Sequence, residues 1–238
     1  ALTVENTESG ERNEYTPDYV ISTMPVKELA RYLGNSLPAD ARIVAEGLLY
    51  RDFITVGLLL SDIKLKETNQ AGHEEMIKDN WIYIQEPDVK LGRLQIFNNW
   101  SPHLVADPST VWLGLEYFCS EGDELWVMAD DDIKKLAISE LEKINIIDAD
   151  RALDAIVVRV PKTYPAYFGT YHQFDTLQRP LDEISNLFLV GRNGMHKYNN
   201  QDHSMLTAME AVKNIVSGRN DKANIWAVNT EMEYHESK

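Results

Sequence analysis

One cysteine, Cys119, stands in 238 residues, so neither an intrachain disulfide nor a cysteine-clustered metal site can form. It lies in an apolar, strand-like run, which predicts a buried structural thiol and fits a reducing compartment. Basic residues are also scarce: 23 Lys and Arg face 38 Asp and Glu, a net charge of −15. Without a basic face to release counterions, nucleic acid is excluded as a partner. The acidic residues are scattered, as on a solvated surface. Long hydrophobic runs are missing too. The longest, about Ile54 to Leu60, is far short of the roughly 20 residues of a membrane span. No signal-peptide pattern occurs, and a cytoplasmic location is expected.

Several catalytic signatures are absent as well. There is no Gly-x-Ser-x-Gly elbow, no Gly-x-Gly-x-x-Gly fingerprint and no phosphate loop. His73, His103, His172 and His235 are isolated, and His196 and His203 lack companions at ligand spacing, so no metal site is expected.

What is present begins with ALTVENTESG, strand-like and without an initiator methionine, which reads as a piece cut from something longer. Residues 1–23 predict a β-hairpin, with Leu2 and Val4 before a polar turn and Tyr19 to Ile21 returning. A helix follows, capped by Ser22 or Thr23, with Pro25 in its first turn and Gly34 at its end. A second helix runs from near Pro38 to about Leu48. Tyr50 to Ser61 reads as a central strand. Trp81 to Gln85, Arg93 to Asn98 and Val111 to Phe118 complete an antiparallel sheet. Asp130 to Asp132 suit the positive end of a helix carrying Ile133, Ala137, Leu141 and Ile144 on one face. Asp154 to Lys162 is a further strand, and Gln173 to Ile184 a helix bent near Pro180.

The chemistry concentrates in NLFLVGRNGMHKYNNQDHSMLTAMEAVKNIV, residues 186–216. Leu187 to Val190 predict a buried strand. Gly191 and Gly194 bracket Arg192 and Asn193 in a tight turn. A polar segment leads into a helix with Met205, Met209, Val212 and Val216 as its apolar face. Strand, glycine turn and helix start can set N–H groups and a positive helix end against an anion, and Arg192 adds a cation with a forked grip. Elsewhere, Arg93 opens one strand, Asn98 to Ser101 close it, and Tyr164 and Tyr167 follow another. As a set these could line an aromatic pocket with a few fixed polar groups.

The pieces DYVISTMPVKELARYL, VRVPKTYPAY and NLFLVGRNGMHKYNNQDHSMLTAM occur in the order seen in FAD-dependent amine-oxidase-like proteins. That superfamily includes protoporphyrinogen oxidase and UDP-galactopyranose mutase. GRNGMHKYNN is similar to the Gly-Arg-x-x-x-x-(Arg/Lys)-Tyr motif of the mutases. The resemblance implies an α+β chain: a mainly antiparallel sheet flanked by helices, with remnants of an α/β FAD-binding domain at both ends. It implies residues 1–24 as the end of that domain and 25–185 as a substrate domain. Residues 186–218 would be the last strand and helix of the FAD-binding domain, and 219–238 a tail.

The cofactor implied is FAD, held in the full-length protein by Gly191, Arg192, Asn193, Gly194, Asp202 and His203 and not retained by this piece alone. The substrate-binding residues implied are Arg192, Tyr198, Asn200, Arg93, Trp100 and Tyr167. The mutases usually place an aspartate two residues after the motif tyrosine; here that position is Asn200, with Asp202 two further on. Three functions stand open. The first is part of a flavin oxidoreductase of amine-oxidase type acting on a small molecule, inactive without its N-terminal FAD-binding part. The second is a mutase-like isomerase of a nucleotide sugar, and the third a non-catalytic binding module. No residue is assigned as catalytic acid or base.

Overall fold

The computed structural model describes residues 1–228. The chain opens with β1 (Leu2–Glu5), β2 (Arg12–Tyr15) and β3 (Val20–Ser22), then α1 (Val26–Leu33) and α2 (Ala39–Glu46). A strand-rich stretch follows: β4 (Tyr50–Leu60), β5 (Lys66–Thr68), β6 (Glu74–Met76), β7 (Trp81–Tyr83) and β8 (Arg93–Ile96). A helical turn α3 (Phe97–Trp100) precedes β9 (Val111–Cys119), α4 (Glu124–Val127), α5 (Asp130–Lys143) and β10 (Ala152–Pro165). The last elements are α6 (Phe174–Asp182), β11 (Leu187–Leu189), α7 (Gly191–Gly194), α8 (Gln201–Ser217) and α9 (Ala223–Trp226). The architecture is α+β.

Two compact units result, unit 1 from residues 1–50 and 164–228 and unit 2 from residues 51–163. Packing groups α1, α2 and α6 with the chain ends. The reason lies in the apolar faces of these helices. Val26, Leu29, Val44, Leu177 and Leu181 share one buried cluster with Leu187 to Val190.

In unit 1, β3 and β11 pair in parallel, Val20 opposite Leu187 and Ser22 opposite Leu189. This corrects the expected hairpin. The strand returning to β1 is β2, with Leu2 opposite Tyr15, while the Tyr19–Ile21 segment pairs with the far end of the chain. Local alternation made residues 19–21 a strand but could not name its partner. Pro25 sits at the N-cap of α1 with no side-chain cap there, so neither Ser22 nor Thr23 caps it. Gly34 ends α1 at φ +51°, a conformation that favours glycine. The Arg31 guanidinium forks onto Glu46 at 2.6 and 2.8 Å, tying α1 to α2.

Unit 2 is built on a five-stranded sheet in the order β10-β4-β9-β8-β7. The β4–β9, β9–β8 and β8–β7 pairs are antiparallel. β4 is an interior strand, between β10 and β9, as its continuous apolar character predicts. Ile54, Val56, Leu58 and Leu60 are completely buried, and α5 adds Ile133, Ala137 and Leu141 to the same core. Three aspartates fill the first turn of α5, where the helix dipole favours them. Cys119 is buried in this core, with its thiol pushed up to about 11 by burial, so it stays protonated at neutral pH. Residues 98–100 form the helical turn α3, where the sequence suggested only a strand end.

Among the described residues no helix is long and apolar enough to cross a membrane.

Candidate functional site

β11 delivers the chain to the site. Val190 N–H donates to Ser22 C=O at 3.0 Å, carrying the backbone past the end of β3. Gly191 then takes φ +74°, the left-handed region where a side chain is strained. Its N–H donates to Thr207 Oγ1 of α8 at 3.0 Å. Gly194 is required for a different reason: a Cβ there would lie 2.6 Å from Ser22 O. The two glycines bracket a single helical turn, α7, which presses against β3 on one side and α8 on the other.

Arg192 projects from α7 against a pair of tyrosine rings. Its Cζ lies 5.0 Å from the ring centroids of both Tyr164 and Tyr198. Those rings are nearly parallel to each other, at 22° and 6.0 Å. Its Nε–H donates to Asn199 C=O at 2.8 Å, which fixes the plane of the fork. Tyr198 N–H donates to the Tyr167 hydroxyl at 2.6 Å, and Tyr167 stacks on Tyr171 at 4.6 Å. Burial pushes the Tyr171 hydroxyl up to about 12, with Tyr167 and Asp175 adding to it. That phenol is a donor and not a base at neutral pH.

Close to these rings sits His196, completely buried at φ +49°. Tyr50 meets its ring edge-on at 4.8 Å, and Phe174 stacks on it at 6.1 Å. Its Nε2 faces Ala166 C=O at 3.2 Å, which makes Nε2 the protonated nitrogen; Nδ1 is buried without a hydrogen-bond partner. Burial lowers its pKa to about 4, against the small opposing pull of the Ala166 carbonyl, and Lys27 adds to the lowering. The imidazole is therefore neutral at pH 7 and acts as packing.

The polar segment after α7 ends in a capping box. The Asn200 side chain accepts from the backbone of His203, and His203 Nδ1 accepts from Asn200 N–H at 3.4 Å. Beside this helix start is a cavity of about 540 Å³ lined by Arg192, Asn199, Asn200, Gln201, Ser204 and Met205. Its character is one cation, three amides, a hydroxyl and a thioether at the positive end of a 17-residue helix. Such a lining suits a phosphate or a carboxylate. Asp202, in the first turn and exposed, opposes that preference in part.

The structure thus brings Gly191 to Gly194, Tyr198, Asn200, His203 and Tyr167 into one neighbourhood with Arg192. Sequence reasoning missed the roles of Asn199, Gln201, Ser204 and Thr207. It noted Tyr164 as one of an aromatic pair, but not that it closes on Arg192.

Arg93 and Trp100 belong to unit 2. Arg93 is buried and opposite Glu116 in the β8–β9 register. It donates from Nε at 2.8 Å and from a terminal nitrogen at 2.5 Å, while Gln95 bonds the second carboxylate oxygen. Trp81 covers the guanidinium at 4.6 Å, and Trp100 leans on Trp81 at 6.1 Å. The ion pair is neutral as a unit, and its rim is aromatic. Among the described residues no group of three or more His, Cys, Asp or Glu could hold a metal ion.

Against this geometry stand the solved structures. Reduced UDP-galactopyranose mutase superposes over 95% of this chain with a TM-score of 0.71 at 21% identity. This fold is shared with that mutase. A protein assigned as protoporphyrinogen oxidase from Exiguobacterium sp. 255-15 matches over 89% of this chain with a TM-score of 0.53 at 16% identity. Both proteins named by the sequence resemblance therefore return as structural neighbours. The chain spans under half of each, 46% and 43% of their lengths. No protein-family model and no curated protein matches the sequence.

Proposed function

We propose that this chain is the substrate-handling and C-terminal cofactor-contacting part of an FAD-dependent oxidoreductase acting on a small molecule. The observation that carries the reading is Arg192, lying against both Tyr164 and Tyr198 beside the start of α8, on a fold shared with the mutase. The residues present fit a diphosphate-bearing cofactor. Gly191 lets the backbone approach, Arg192 supplies a planar cation, and Asn200 and Ser204 line the adjoining cavity with polar atoms. When bound, a flavin would supply hydride or electron-pair transfer. The chain's own task is then to hold and orient. Arg192 and the α8 terminus neutralise phosphate charge, Tyr198 and Tyr167 fix the wall beside it, and Gly194 keeps α7 against β3. No Gly-x-Gly-x-x-Gly occurs in residues 1–238, so in this reading the adenosine diphosphate cradle lies in polypeptide outside them.

A mutase-like isomerase of a nucleotide sugar is the second reading. It is favoured by the better superposition on the mutase, 0.71 against 0.53, and by the joined Arg192–Tyr198 pair. Purifying the polypeptide encoded by the whole gene tests both. The first reading expects a yellow protein whose FAD is released by Arg192→Ala; a colourless product refutes it. Calorimetry with UDP separates the second. Binding that Arg192→Ala lowers at least tenfold supports the isomerase, and no heat with UDP removes it.

A further inference from the structure

Arg42, on α2, has nothing to hold. Its Nε–H is buried and makes no hydrogen bond, and no ion pair among the described residues answers its charge. A buried charged donor without an acceptor gives up hydration and gains nothing in return. Such an atom marks either strain or a place for a group that the chain does not itself supply.

The pattern of α2 explains how Arg42 comes to be left over. Ala41, Val44 and Ala45 turn into the core of unit 1, and Arg42 stands at the edge of that face. Its natural partner is Glu46, one turn further along the helix. That carboxylate is already engaged. Arg31 of α1 grips it in a fork, 2.6 Å from Nε and 2.8 Å from Nη2. The last carbonyls of α2 are taken as well, since Lys27 Nζ donates to Glu46 C=O at 2.6 Å and to Leu48 C=O at 3.1 Å.

Between the two helices lies a cavity of about 250 Å³, lined by Ala30, Arg31, Gly34, Arg42, Ala45 and Glu46. Small residues keep it open, and a Cβ added at Gly34 would meet nothing within 4 Å. Two guanidinium groups face one carboxylate there, a net positive lining in a chain whose net charge is −15. The cavity lies in unit 1 and shares no lining residue with the one beside Arg192.

We propose that this cavity is a second anion site, shaped for a single phosphoryl group, either as inorganic phosphate or as a monoester of a small molecule. Arg42 supplies the free donor, and Arg31 lends its charge from the opposite helix. Donors arriving from two helices call for oxygens that point in several directions, which a phosphoryl group has and a carboxylate lacks. Size limits the rest of the ligand. Pockets for drug-sized molecules run to roughly 300–1,000 Å³, so this one takes a phosphoryl group and a few further atoms but no dinucleotide. The site stands whether or not the Arg192 cavity takes a flavin.

The test is a chemical-shift titration of the 238-residue chain at constant ionic strength, with inorganic phosphate, glycerol phosphate and acetate added separately. The Gly34, Arg42 and Glu46 amides and the Arg42 Nε–H should shift and saturate with phosphate or its ester, and stay still with acetate. Tighter binding of the ester identifies a phosphorylated small molecule as the ligand; tighter or equal binding of inorganic phosphate identifies the free ion. Arg42→Gln should weaken binding by roughly tenfold or more, the loss of one charge-assisted hydrogen bond. No saturating shift, equal shifts with acetate, or an undiminished response in Arg42→Gln overturns the proposal. Glu46→Gln keeps it falsifiable if that variant fails to fold. The Arg31–Glu46 pair is half-exposed, so its loss costs little stability. It also frees the Arg31 fork and removes the one negative charge of the lining, so phosphate should bind roughly threefold tighter or better. Unchanged or weaker binding in Glu46→Gln overturns the proposal as well.

Discussion

Acidifying the protein should weaken unit 1 through His196. In the folded chain this imidazole is completely buried, and its pKa falls from the ordinary 6.5 to about 4. Between those values the unfolded chain holds the proton and the folded chain does not, so stability rises with pH across that window. The contribution is complete above 6.5, is lost as pH falls toward 4, and levels off below. At about 1.36 kcal/mol per pH unit, the gap corresponds to about 3 kcal/mol. The whole stability of a small domain is only ~5–15 kcal/mol, so the effect is measurable. The assay is urea unfolding at pH values between about 8 and 4. It is read on amide resonances of α6 and β11 for the native chain and for His196→Phe. The variant carries its own strain, because a phenylalanine must also adopt φ near +49°. That strain does not depend on pH, and the carboxylates titrate alike in both proteins and cancel, so the difference between the two curves isolates the imidazole. A difference that stays flat from pH 6.5 to 4 refutes the reasoning. So does a His196 ring resonance that titrates near 6.5 in the folded chain.

Two further perturbations test the packing. Glu116→Ala strands the buried Arg93 guanidinium without its carboxylate and should cost about 3–5 kcal/mol, read by chemical denaturation of unit 2; a loss below about 1 kcal/mol would show the pair to be solvated. Gly194→Ala sets a methyl group 2.6 Å from Ser22 O and should destabilise by about 1–3 kcal/mol, with amide shifts in β3 and α7. An unshifted melting temperature there would mean that α7 yields freely.

Where the fold was legible in the sequence, one element's own pattern was enough. β4 and β9 announced themselves as continuous apolar runs, and α5 as an acidic start followed by Ile133, Ala137 and Leu141 at helical spacing. The failures share a cause. Residues 19–21 were correctly strand-like, but their partner sits some 165 residues away, where no local rule reaches. The stripe on α8 was correctly apolar, but periodicity identifies a face and not what covers it. At the site, Gly191, Arg192 and Tyr198 stood out because special backbone geometry and a cation lie close together in sequence. Tyr164 closes on Arg192 only because unit 1 brings β10's end back to α7, which is a property of the tertiary fold. Arg93 drew notice as a charge at a strand end. Its pairing with Glu116 follows from a register no sequence pattern specifies.

The pairing of β3 with β11 also sets an order of events during synthesis. Unit 1 begins in the first fifty residues and is completed only after Tyr164, with all of unit 2 emerging in between. At roughly 5–20 residues per second, the intervening stretch of roughly 110 residues takes about 6–22 s to appear. Throughout that interval Val26, Leu29 and Val44 have no α6 or β11 to cover them. Unit 2, contiguous in the chain, can fold within the wait. Half-made, the protein would thus present its N-terminal helices as a client for chaperones well before it presents a binding site.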